Sequence, residues 1–189
     1  NYAITEADFG VYTTDILLKM LSVLDNDISI GLVKADEKAI SLDAKDSGAS
    51  VRYMLSDLSV INTPPQLKQI PEFELLLNVD KTFINKFISG KGALPDTESF
   101  TVISGDKTEV VIGYSSIATN RVAVPVENQT DNTIDNISFN ANLFKDVLEA
   151  NKECEAAVLE VSSEGLARIT FNVGDYESTY YLVAVQNVN

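Results

Sequence analysis

The 189-residue chain carries 28 acidic against 14 basic side chains, a formal net charge of −14, with 45% hydrophobic residues and no histidine. That charge excludes a surface built to wrap nucleic acid on every side, and the missing histidine excludes a Ser-His-Asp triad, a Cys-His dyad and His-ligated metals. A lone cysteine, Cys154, excludes an internal disulfide or thiolate cluster, and no run approaches the roughly 20 apolar residues of a membrane span.

The chain starts at Asn1 without a basic, apolar leader and reads as a trimmed or partial one. Residues 1–7 look like the last strand of a repeat that begins elsewhere. Alternation over 9–13 predicts a short strand, and Thr13 or Thr14 then caps a helix over 14–25. Ile16-Leu17 and Met20-Leu21 place apolar pairs at i, i+1, i+4 and i+5, one stripe on a helix. Strands follow at 28–33, 39–43 and 49–55, separated by turns rich in Asp, Lys, Ser and Gly. Residues 59–71 hold three of the five prolines and read as a connector.

The same order then recurs. A strand at 73–79 leads, through Asn78 or Asp80 as cap, to a helix over 80–92 whose stripe is Phe83-Ile84 and Phe87-Ile88. Strands at 99–104, 109–114 and 121–126 follow. After a polar connection at 128–136 comes a strand at 137–141, with Asn140 or Asn142 as cap. The third helix spans 142–152 with Leu143-Phe144 and Val147-Leu148, and strands at 157–161, 166–172 and 179–185 end the chain. Gly105-Asp106, Glu164-Gly165 and Gly174-Asp175 mark turns. Three β-α-β-β-β repeats, their stripes beginning 67 and 60 residues apart, define an α+β chain. Its divisions are an incomplete first domain at 1–58, a connector at 59–71 and a two-repeat second domain at 72–189.

Charge is unevenly spread. The three helical segments hold Lys19, Lys81, Lys86, Lys91, Lys145 and Lys152 against five carboxylates, while the other 153 residues hold eight basic and 23 acidic groups. Lys19 and Lys86 occupy matching places between the apolar pairs; at that place the third repeat has Asp146, with Lys145 one position earlier. A lysine on a polar helix face is often simply solvated. Several on one face would meet phosphates in a salt-dependent, sequence-blind way, and an acidic exterior would keep DNA off the rest of the surface.

Other motifs fail. Asp25-Asn26-Asp27 opens like a calcium loop, but the glycine comes one place late, at Gly31, and Asp36 stands where the loop needs glutamate. Gly90-Lys91-Gly92 lacks phosphate-loop spacing and reads as a helix C-cap. Asn128-Gln129-Thr130 and Asn136-Ile137-Ser138 match glycosylation triplets by chance, and Cys154 reads as a buried structural thiol. No acid–base pair stands out, so no enzyme, cofactor or metal is expected.

Tandem β-α-β-β-β repeats resemble the DNA polymerase sliding clamps, and most of all those of T-even-type bacteriophages. The run FGVYTTDILLKMLSVL at 9–24 is similar to that clamp's first strand and helix. Glu164-Gly165-Leu166-Ala167-Arg168 with Tyr180-Tyr181-Leu182-Val183-Ala184 is similar to its last hairpin and strand. The resemblance implies a clamp fold, with helices on one face of antiparallel sheets, and a ring that encircles double-stranded DNA and tethers the replicative polymerase. It further implies a homotrimer when four repeats are present, a clamp loader, and the cytoplasm of an infected bacterial host. Ring closure would use an edge strand such as 109–114. Partner peptides would enter an apolar pocket near the connector, for which Leu58, Val60, Ile61, Leu67, Ile70 and Pro71 are candidates. The competing reading is a structural or adhesive β-rich virion or surface protein.

Overall fold

Strict alternation in Leu75, Leu77 and Val79 places three apolar side chains on one side of a strand, and each is fully buried. The computed structural model describes residues 8–36, 38–63, 69–115, 117 and 119–185; the strand expected at 1–7 lies outside them. The chain divides into two units, Asn1–Leu67 and Lys68–Asn189.

Unit 1 holds helix α1 (Thr14–Leu21) and strands β1 (Ser29–Ala35), β2 (Lys38–Lys45) and β3 (Ser50–Met54), in an antiparallel sheet of order β1-β2-β3. Thr13 makes no side-chain cap; the Tyr53 hydroxyl instead donates to its carbonyl at 3.2 Å and ties α1 to β3. α1 ends four residues short of the predicted helix, where Ser22 Oγ donates to the Lys19 carbonyl at 2.8 Å. The β2–β3 turn is held by Asp46, which accepts the N–H groups of Gly48 and Ala49 at 2.8 and 2.6 Å. Little here is buried: Leu24, Ala44 and Tyr53 are the buried apolar residues described.

Unit 2 holds β4 (Leu75–Asp80), α2 (Lys81–Ala93), β5 (Ser99–Ile103), β6 (Glu109–Ile112) and β7 (Val122–Pro125). A second repeat follows with β8 (Ile137–Asn140), α3 (Ala141–Ala150), β9 (Ala156–Val161), β10 (Leu166–Val173) and β11 (Tyr176–Val183). Asp80 and Asn140 cap the helices, accepting from Phe83 N at 2.7 Å and Leu143 N at 2.9 Å. The sheets run β11-β10-β9-β4 and β7-β6-β5-β8, all antiparallel. Each repeat thus lends its opening strand to the other's sheet. The strand expected at an edge, 109–114, is interior: β6 lies between β5 and β7, because successive hairpins add each strand outside the last.

Phe83, Phe87, Phe100, Phe139, Phe144 and Phe171 dominate one continuous core under both helices. Gly90 is a contact point, not the predicted C-cap. A Cβ there would stand 2.8 Å from Val122 Cγ1, so glycine lets α2 approach β7. Cys154 is buried, and its Sγ donates to the Ala156 carbonyl at 3.1 Å. All three repeats close alike. Backbone just after the third strand bonds back to the segment before the helix: Ser56 N to Gly10 O at 2.9 Å, Gln129 N to Leu76 O at 2.8 Å, Val185 N to Ser138 O at 2.8 Å. No helix among the described residues is long and apolar enough to cross a membrane.

Candidate nucleic-acid interface

In unit 2, α2 and α3 lie side by side, joined where Phe87 meets Phe144. Most of each apolar stripe points into the core, although Leu143 is 56% exposed; Lys81, Thr82, Asn85, Lys86 and Ser89 of α2 are also exposed, as are Asn142, Asp146 and Glu149 of α3. This amphipathic split follows from the i, i+1, i+4, i+5 spacing.

The six lysines have different fates. Lys86 and Lys152 are exposed in unit 2 and Lys19 in unit 1, and none of the three makes an ion pair among the described residues. Lys152 sits in the turn after α3, not on the helix. Lys81 opens α2 and reaches Glu155 at 3.7 Å, an exposed pair of little strength. Lys145 is half-buried, with Nζ 2.8 Å from Glu149 one turn on; that hydrogen bond holds the ammonium above the usual lysine range. A phosphate approaching Lys145 must compete with Glu149.

Lys91 does not face solvent. It is 3% exposed, and its Nζ donates to the carbonyls of Pro95 at 2.8 Å and Leu94 at 3.3 Å. It satisfies acceptors at the end of α2 and, contrary to the sequence expectation, is not open to a ligand. The signal was in the spacing: Lys91 continues the stripe of Phe83, Ile84 and Phe87 at i+8, i+7 and i+4. The exposed face of α2 is therefore cationic, while Asp146 and Glu149 make that of α3 acidic.

The connector residues separate between units. Leu58 and Val60 are exposed in a single 3₁₀ turn of unit 1, with Ile61 half-buried beside it. Ile70 is exposed and Pro71 half-buried in unit 2, and Leu67 lies outside the described residues. Of these, Leu58 lines a cavity of about 500 Å³ in unit 1 with Phe9, Ile40 and Met54. The sequence reading missed those three because they are 49, 18 and 4 residues away from Leu58 along the chain. Lys38 and Asp57 pair across 3.8 Å at the same cavity. A larger cavity of about 730 Å³ in unit 2 is lined by Asp106, Glu109, Glu127 and Asp131, a field that repels phosphate. Among the described residues, no group of three or more His, Cys, Asp or Glu gathers as a metal site would.

No family model and no curated protein matches the sequence. Among solved structures, the proliferating cellular nuclear antigen of Entamoeba histolytica matches with a TM-score of 0.64 and 15% identity, over 90% of this chain and 69% of that one. The chain therefore has the fold of that antigen: an α+β clamp fold with antiparallel sheets.

Proposed function

We propose that the protein is a sliding clamp: a ring that encircles duplex DNA, tethers a replicative DNA polymerase and performs no chemistry of its own. The observation that carries this is the clamp fold together with two adjacent helices whose polar faces are exposed, with Lys86 of α2 exposed and outside any ion pair among the described residues. Acidic groups on α3 keep direct attraction small, so retention on DNA comes from topology rather than contact energy. The apolar cavity at Phe9, Ile40, Met54 and Leu58 suits a short apolar peptide of the polymerase. The likeness of 9–24, 164–168 and 180–184 to T-even-type phage clamps supports closure as a homotrimer when full length, a clamp loader, and the cytoplasm of an infected bacterium.

Primer extension tests the proposal. The full-length protein, its loader and its polymerase are mixed with circular or linear templates. A clamp lengthens products on both and dissociates from linear ends; unchanged product length overturns the reading.

A further inference from the structure

The two helices of unit 2 carry opposite charge at matching places. Between its apolar pairs α2 has Lys86, exposed and in no ion pair among the described residues; α3 has Asp146 there, also exposed. The one lysine of α3, Lys145, is half-buried, and its Nζ lies 2.8 Å from a carboxylate oxygen of Glu149. Asn142, Lys145 and Glu149 stand at i, i+3 and i+7 and so form one strip along the helix, with both ends of the strip exposed. The neighbouring Asp146 carboxylate also attracts the Lys145 ammonium.

An ion pair one turn apart on an exposed helix is weak, and its own strength would not keep Lys145 from a phosphate. The charge left behind does. A phosphate that draws the ammonium away meets the Glu149 carboxylate one turn on and Asp146 beside it, and that repulsion offsets the new contact. Lys86 has no such neighbour on its helix, because α2 contains no acidic residue.

We propose that Glu149 is a positioning residue that withholds Lys145 from the DNA backbone, so that unit 2 meets the duplex through α2 alone and holds it loosely enough to slide. The inference rests on the clamp reading and adds to it a carboxylate whose role is to limit contact. Every phosphate contact must break when the protein steps along the duplex, so one contact withheld in each chain eases movement.

Fluorescence anisotropy of a short labelled duplex, titrated with the full-length protein between about 50 and 200 mM salt, tests this. Glu149→Gln keeps the length of the side chain, and its far-ultraviolet dichroism should stay that of the parent. The slope of log association against log salt should steepen by about 0.9, the value of one phosphate, which is about threefold more affinity lost across that range. In a chain already carrying Lys145→Gln, the same substitution should leave the slope where Lys145→Gln alone sets it. An unchanged slope in Glu149→Gln overturns the proposal. So does a steepening that persists alongside Lys145→Gln, since Glu149 would then act only through the general field of the surface. Lys86→Gln reports on the clamp reading separately. A shallower slope there, with no response to Glu149→Gln, removes the proposal and keeps the clamp; a parent that does not associate with the duplex, or a slope indifferent to Lys86→Gln, removes both.

Discussion

Phe87 of α2 meets Phe144 of α3 edge to face, with ring centroids 4.9 Å apart, and both rings are fully buried. Each also contacts Phe100 of β5, at 5.3 and 4.8 Å. This trio is where the two repeats of unit 2 are joined, because Phe144 belongs to one and Phe87 and Phe100 to the other.

Phe144→Ala is therefore expected to cost about 3–5 kcal/mol, the range for emptying a buried aromatic site. Since one core serves both repeats, unit 2 should still unfold in a single step. Urea titration of the parent and the variant checks both points; a cost below about 1 kcal/mol would contradict the packing.

Lys91 and Lys86 should separate stability from DNA contact. Lys91→Met keeps the buried stem but strips the carbonyls of Leu94 and Pro95 of their donor, at an expected cost of about 1–3 kcal/mol. It leaves retention on DNA unchanged. Lys86→Gln leaves melting unchanged and lowers the salt dependence of DNA association by about one phosphate contact. Thermal melts and salt titrations of each variant measure the contrast.

Acid should weaken both units through carboxylates held below their ordinary range. Hydrogen bonds from Arg52 and Ser41 do this for Asp43, the N–H groups of Asp25, Gly48 and Ala49 for Asp46, and the Ser163 hydroxyl and N–H for Glu74. A lowered folded value means the stabilisation is complete above the ordinary values, 3.8 for aspartate and 4.5 for glutamate, and fades as pH falls through the lowered ones. Melting temperature should be insensitive to these groups at neutral pH and decline below about pH 4. Ser163→Ala should flatten that decline for unit 2.

The apolar cavity of unit 1 gives a separable test of partner capture. Met54 is 63% exposed at its rim, so Met54→Glu should not affect folding. It should abolish or sharply reduce stimulation of the polymerase, because a peptide's apolar side chain would have to cover a carboxylate. Calorimetric titration with the polymerase's terminal peptide and primer extension read the effect.

Much of the architecture was legible in local pattern. The stripes at Ile16, Phe83 and Leu143 gave three helices, alternation gave most strands, and Asp80 and Asn140 announced their caps three residues before the N–H groups they accept. These features depend on neighbours within a turn or two, so periodicity reports them. The candidate site was less legible. Lys91 was assigned to solvent by its charge, although its place on the stripe of Phe87 put it inside. The cavity at Phe9, Ile40, Met54 and Leu58 joins residues that share no local spacing.

Composition and periodicity by themselves determined the repeat, the helical faces and the absence of histidine chemistry. The tertiary structure decided which strands pair. It made 109–114 interior, exchanged β4 and β8 between repeats, and buried the β5 and β9 faces. Strand order is settled by non-local packing and hydrogen bonding between segments tens of residues apart, and a strand's own alternation is the same whether its edge is filled or empty.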